Sequence, residues 1–313
     1  NRVAVIDLGT NTFHLLVAEV TPDRQIVRLH EEKRPAKIGK GGISQGIITD
    51  EAVARGLSIL SDYGREIAAR GVPPERVLAT GTSAIRNARN GVAFVQQIEA
   101  QTGIKVEVIS GEREAELIYY GVRGAVPLPA PPVLIVDIGG GSVEFIIGNG
   151  EKIFWKQSFE IGGQRLMDKF MHSDPISPAS VRRLYDFLAE TLLPLTNAVH
   201  QYQPQMLVGS SGTFDTLVEI HELQSDPGFR LADRTHHELP VAAFRAIFQD
   251  LLVKNQAERL AVPGMIPLRV DMVVVACCLV DFVLRQYGIT TFKTSTYALK
   301  EGVLLQAGWT AGC

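Results

Sequence analysis

Cysteine is scarce. Three residues in 313, with Cys277 and Cys278 adjacent inside an apolar stretch and Cys313 at the end, cannot form a disulfide framework and lack zinc-ligand spacing. They suit a reducing compartment, and we expect a cytoplasmic protein. A large charge of one sign is also missing: 31 Lys and Arg against 34 Asp and Glu leave a net charge of −3, which argues against a partner that is nucleic acid or an anionic membrane surface. No apolar run is long enough to span a bilayer. The longest, residues 270–284, carries Asp271 and Asp281 and reads as a buried helix, equally suited to a core or to the interface of a homodimer. No leader is read before Val3. There is no Gly-x-x-x-x-Gly-Lys-[Ser/Thr] loop and no Gly-x-Ser-x-Gly elbow, which removes P-loop enzymes and the commonest serine hydrolases. His236 and His237, in polar surroundings, read as a surface loop.

What the chain does have is one short pattern twice: Val-Ile-Asp-Leu-Gly-Thr-Asn-Thr at residues 5–12 and Ile-Val-Asp-Ile-Gly-Gly-Gly-Ser at residues 135–142. Each is an apolar strand running into Asp-x-Gly, a small polar turn and a second apolar run, which predicts a hairpin. Each turn offers backbone N–H groups (Gly9, Thr10, Asn11 and Thr12; Gly139, Gly140, Gly141 and Ser142) and one carboxylate, Asp7 or Asp137, where the strand ends. Amides that hold phosphate oxygens beside a carboxylate that positions a metal ion or its water suit phosphate chemistry.

The order of elements repeats as well. Strands are expected at 25–30, 77–79 and 106–109, with helices at 49–70, 91–100 and 112–122, so the first half is α/β. Residues 127–132 hold four prolines in six and read as a stiff linker and hinge. After it come the second hairpin, a strand at 152–157, a long helix at 178–200, a strand at 205–208 and then helices to the end. We expect two related α/β domains, residues 1–124 (with a C-terminal helix, 298–313, packing back on it) and 125–297, with their Asp-x-Gly turns facing across a cleft.

Three further segments carry candidate chemistry. In Ser-Gly-Glu-Arg-Glu-Ala-Glu-Leu-Ile at residues 110–118, helical spacing places Glu112, Arg113 and Glu116 on a polar face. Glu114 instead falls amid Ala115, Leu117, Ile118, Gly121 and Val122. A carboxylate on an apolar stripe is rare unless paired or functional; burial would raise its pKa toward the range of a general base, while the helix N-terminus would pull it down. In Thr-Gly-Thr-Ser-Ala-Ile-Arg-Asn-Ala-Arg at residues 80–89, Arg86 and Arg89 have the forked geometry that phosphate oxygens accept. Gly209, Ser210, Ser211 and Gly212 stand between a strand and a helix, where free N–H groups bind anions. Lys33, Lys37 and Lys40 lie in a glycine-bearing loop at the expected cleft mouth.

Taken together and in order, the paired turns, Ser110-Gly-x-x-Glu114-Ala, Gly-Thr-Ser-Ala-Ile-Arg86, Gly209-Ser-Ser-Gly-Thr and Leu299-Lys-Glu-Gly-Val-Leu304 resemble the exopolyphosphatase and guanosine pentaphosphate phosphatase family. The resemblance covers essentially the whole chain. It implies two ribonuclease H-like domains of the actin-like ATPase superfold and hydrolysis of a terminal phosphoanhydride. In that reading Glu114 is the general base, Glu144 orients water or metal, Arg86 holds phosphates, and Asp7 and Asp137 with their turns bind Mg²⁺ and phosphate. Polyphosphate and guanosine pentaphosphate both stay open as substrates. Val143, Arg113 and Lys300 depart from the family's usual Thr, Glu and Arg, which bears on metal dependence and substrate preference. Two rivals stay open too: a small-molecule kinase of the same superfold, and a non-catalytic alarmone-binding sensor.

Overall fold

The two Asp-x-Gly segments fold alike. The computed structural model describes residues 2–21 and 25–307, so Cys313 and the end of the helix expected over 298–313 lie outside the described residues. β1 (Arg2–Leu8) and β2 (Thr12–Val20) form an antiparallel hairpin with Asp7 opposite His14, and β3 (Ile26–Pro35) extends it. α1 (Asp50–Ala69), capped by the Thr49 hydroxyl, leads toward β4 (Val77–Gly81), which runs parallel to β1 with Thr80 beside Asp7. α2 (Ser83–Asn87), α3 (Gly91–Thr102) and β5 (Val106–Val108) complete a sheet of order β3-β2-β1-β4-β5. α4 (Gly111–Ala125) follows, its first turn capped by the Ser110 hydroxyl, which accepts from the Arg113 amide at 3.1 Å.

The second half repeats this plan. β6 (Val133–Ile138) and β7 (Val143–Gly148) form the hairpin with Asp137 opposite Glu144, and β8 (Ile153–Phe159) extends it. α5 (Gly163–Phe170), α6 (Pro178–Thr191) and α7 (Leu193–Tyr202) lead to β9 (Met206–Ser210), parallel to β6 with Ser210 beside Asp137. α8 (Gly212–Glu222), β10 (His236–Glu238), α9 (Val241–Val253), α10 (Gln256–Leu260), α11 (Val273–Gln286), β11 (Thr291–Ser295) and α12 (Leu299–Gln306) finish the chain. The second sheet has the order β10-β11-β9-β6-β7-β8.

Three expectations need correction. The helix expected over 178–200 is two helices, because Pro194 lacks the N–H that would continue α6 and instead opens α7. The last third is not all helical: it contains β10 and β11, which are short and carry polar residues. His237 is therefore a buried strand residue, 4% exposed, rather than part of a surface loop. The apolar stretch around α11 is core: every side chain from Val273 to Leu284 is buried, including the free thiols of Cys277 and Cys278. Among the described residues no helix is long and apolar enough to cross a membrane.

Each sheet has its own core, and a third core lies between them. It joins Val5 and Leu16 of the first sheet, Ile135 and Val208 of the second, Ile118 and Val122 of α4, and Leu299 and Val303 of α12. α4 packs on β7 and β8, while α12 packs on α4 and on β1. The two helices cross almost backbone to backbone. A Cβ on Gly302 would lie 1.8 Å from the Leu117 carbonyl oxygen, and one on Gly121 would lie 2.1 Å from the Ala298 oxygen. Intrinsic propensity favours Ala over Gly in a helix by about 1 kcal/mol, but forced overpacking costs roughly 1–3 kcal/mol. Gly302→Ala should therefore lower the free energy of urea unfolding, whereas a gain in stability would contradict this close crossing.

Candidate active site

The turns owe their orientation to what sits behind them. Three carbonyls of the second turn accept hydrogen bonds from the start of α5: Gly141 from the Gly162 amide at 3.1 Å, Gly139 from Gly163 at 2.9 Å and Gly140 from Gln164 at 2.9 Å. In a trans peptide the N–H points opposite to the C=O, so the amides of Gly140, Gly141 and Ser142 face away from α5 and into the cleft. The first turn is held in the same way by the glycine-bearing loop after β3. There the Lys37 amide binds the Asn11 carbonyl at 2.8 Å and the Gly39 amide binds that of Thr10 at 3.0 Å. Each turn also closes on itself, Gly9 N–H to Thr12 at 3.1 Å and Gly139 N–H to Ser142 at 3.0 Å. The two turns nearly touch: a Cβ on Gly141 would lie 2.5 Å from both the Thr10 and the Ser83 hydroxyl oxygens.

Between them is a cavity of about 100 Å³. Both turns line it, with Asp7, Asp137, Glu114, Ser211 and Gly212. The other expected site residues sit behind this lining. The Arg86 guanidinium donates to Glu114 Oε2 at 2.8 Å and to the Ile109 carbonyl at 3.1 Å. Glu144 is 1% exposed and accepts from the Ser158 hydroxyl at 2.6 Å. Ser210 and Ser211 donate to the two oxygens of Asp137 at 2.6 and 2.7 Å. Gly209 leaves room for the Phe214 ring. Of the basic residues expected at the mouth, Lys33 lines the cavity 3.9 Å from Asp215, Lys37 lies 3.9 Å from Asp271, and Lys40 is exposed. Arg89 donates to the Gln45 carbonyl at 3.3 Å.

As the helical spacing requires, Glu112 and Arg113 are exposed and Glu114 is buried. Burial pushes the Glu114 carboxyl up and Arg86 pulls it back, while Asp137 and Glu160 add to the rise; the result is about 7. Asp7 is pushed up to about 8 by burial and by the Glu114 charge, with Lys300 acting against them. Glu144 lies well above the usual carboxylate range through burial and the charges of Glu114 and Asp137. Asp137 is raised by burial even though two serine hydroxyls hold its charged form.

These donors fit a hard divalent cation. Asp7 Oδ1, Asn11 Oδ1 and Thr12 Oγ1 are buried without a hydrogen-bond partner. No group of three or more His, Cys, Asp or Glu among the described residues forms a protein-only cage. Mg²⁺ uses one or two carboxylates, waters and substrate phosphates, so Asp7 and Asp137 are the residues that could hold it here.

Sequence reasoning missed His14, Asp215 and Arg269 among the charged and titratable lining residues, and it missed the part played by Lys300. Lys300 is 7% exposed and lies 3.0 Å from Glu301 and 3.3 Å from Glu31. Burial alone would lower its pKa, but the two glutamates hold the ammonium charged. A lysine in the first turn of a helix opposes the helix dipole, and that misfit was the available signal. The Arg269 guanidinium packs over Gly212, where a Cβ would be 1.9 Å from its Nη2. Nothing local to the 261–270 loop announces it.

Comparison with known proteins matches nearly the whole chain to one family. The family described as the Ppx/GppA phosphatase family matches residues 16–308. Exopolyphosphatase 2 of Mycobacterium tuberculosis is 30% identical over 316 residues, covering 97% of this chain and 98% of that protein. A putative exopolyphosphatase of Haemophilus influenzae is 29% identical over 97% of this chain and 90% of its own. An exopolyphosphatase crystal structure from Cytophaga hutchinsonii superposes over 100% of both chains with a TM-score of 0.94 and 43% identity. The Ppx/GppA family member of Aquifex aeolicus superposes with a TM-score of 0.80 at 26% identity, covering 98% of this chain and 97% of that one. The two sheets with their facing hairpins are thus the actin-like two-domain fold, and the chain belongs to the Ppx/GppA phosphatase family.

Proposed function

We propose that this chain hydrolyses the terminal phosphoanhydride of inorganic polyphosphate, with Glu114 as the general base that activates water. Family membership and the exopolyphosphatase relatives support a phosphate-releasing hydrolase. They favour it over the kinase and sensor readings of the same turns. The observation that carries the base is Glu114 itself: a buried carboxylate on the cavity wall, raised to about 7, with Arg86 behind it.

Phosphoryl transfer needs positioning and charge neutralisation more than covalent chemistry. The inward-turned amides of both hairpins, with Lys33, Lys300 and Arg269, supply donors and positive charge to phosphate oxygens from both walls. Asp7 and Asp137 would hold Mg²⁺, which when bound offsets the negative charge shared by the substrate and these carboxylates. Glu114 takes the proton of the attacking water, and Arg86 fixes the carboxylate that receives it. The cavity of about 100 Å³ is well below the 300–1,000 Å³ of pockets that enclose drug-sized ligands. It suits phosphoryl groups rather than a nucleoside, which puts polyphosphate first. Guanosine pentaphosphate would enter by its phosphate end with the purine outside.

Release of phosphate from polyphosphate and from guanosine pentaphosphate, measured in parallel, tests the reading. Glu114→Gln should lower kcat by about 10²–10⁴-fold while substrate binding survives. Near-wild-type turnover would remove Glu114 as the base. The base must be deprotonated to act, so kcat should fall as pH drops through about 7. Because Arg86 favours the charged form of Glu114, Arg86→Ala should move that acid limb to higher pH; a limb that stays in place would contradict the pairing. Asp7→Asn and Asp137→Asn should each weaken Mg²⁺ binding in titration calorimetry without unfolding the protein. Unchanged affinity in both variants would locate the cation elsewhere.

A further inference from the structure

We propose that Glu160 is a positioning residue that clasps Arg86 across the cleft and so fixes the second arm of the guanidinium that meets Glu114 when the two halves are closed. Glu160 follows β8 and belongs to the second half of the chain, whereas Arg86 and Ser83 belong to the first. Its Oε1 accepts from Arg86 Nη2 at 3.1 Å, and its Oε2 accepts from the Ser83 hydroxyl at 2.6 Å and from Arg165 Nη2 at 3.1 Å. The other arm of Arg86 reaches Glu114. A guanidinium is planar, so fixing both of its arms fixes the direction from which it meets the base.

Arg165 extends the clasp. Its Nε donates to the Gly141 carbonyl at 2.9 Å, and its Nη1 reaches the Ile43 carbonyl of the first half at 3.4 Å. One carboxylate therefore links the general base, the second phosphate turn and the first half of the chain. The Glu160 side chain is 41% exposed, and an ion pair that exposed adds little to stability. Its consequence is geometric: opening the cleft removes Glu160 from Arg86 Nη2 and leaves the guanidinium only its Nη1 contacts to Glu114 and the Ile109 carbonyl, so both arms are fixed in the closed state alone.

The inference rests on Glu114 as the base, and it is tested on the full chain with and without substrate. Glu160→Ala should reduce kcat for polyphosphate by on the order of tenfold to a hundredfold while KM changes by less than about twofold. Glu160→Gln, which keeps acceptor and donor atoms at the site, should recover part of the loss. Combining Glu160→Ala with Arg86→Ala should be no slower than Arg86→Ala alone, because Glu160 acts through Arg86. Losses that multiply, or full turnover in Glu160→Ala, would overturn the proposal. Without substrate, amide hydrogen exchange over residues 83–87 and 139–142 should accelerate in Glu160→Ala. Exchange as slow as in the wild type would overturn the clasp, whereas faster exchange in a protein that releases no phosphate would keep the clasp and remove the hydrolase reading beneath it.

Discussion

Four carboxylates, those of Asp7, Glu114, Asp137 and Glu144, share one buried region, and their desolvation and mutual repulsion set the terms for everything around them. Left to themselves, such groups shift their pKa values and take up protons. The protein answers with local partners for three of them. Glu114 has Arg86, Asp137 has the hydroxyls of Ser210 and Ser211, and Glu144 has that of Ser158. Asp7 has no such partner for its Oδ1, which makes it the group most in need of a cation. A polyanionic substrate would be repelled by this set. Lys33, Lys300 and Arg269, which line the same cavity, offset part of that negative charge.

The fold solves the geometry by doing one thing twice. Each half ends its first hairpin at an Asp and draws the turn carbonyls backward with amides from a following segment, α5 in one case and residues 37–39 in the other. The remaining amides are thereby presented to the cleft from opposite sides. α4 and α12 occupy the space between the sheets, crossing where Gly121 and Gly302 allow their backbones to approach. Glu114, the proposed base at the start of α4, is thus carried by a helix that touches elements of both halves. A helix seated between the sheets is a more rigid support for a base than a cleft loop would be.

Much of this was legible in the chain. The paired Asp-x-Gly turns read as hairpins because strand, turn residue and second apolar run all agree locally, and helical spacing alone placed Glu114 on the apolar face of α4. Other features were not legible, for physical reasons. The break at Leu192 hides inside a helical apolar pattern that only Pro194 interrupts. β10 and β11 are three and five residues long and take their conformation from pairing partners far away in sequence. Arg269 reaches the cavity from an irregular loop, and its role depends on Gly212, which lies on another element. Arg86 was visible as a candidate cation. That its two arms hold two carboxylates from opposite halves is a property of tertiary contact and has no local sequence signature.

A water molecule activated by Glu114 would attack phosphorus directly. The most direct measurement is the stereochemical course at the terminal phosphorus, using a chain ended by an isotopically chiral thiophosphate and hydrolysed in labelled water. A single in-line displacement predicts inversion. Net retention would mean two displacements through a covalent phosphoenzyme, with the first attack made by a side chain and not by water activated at Glu114.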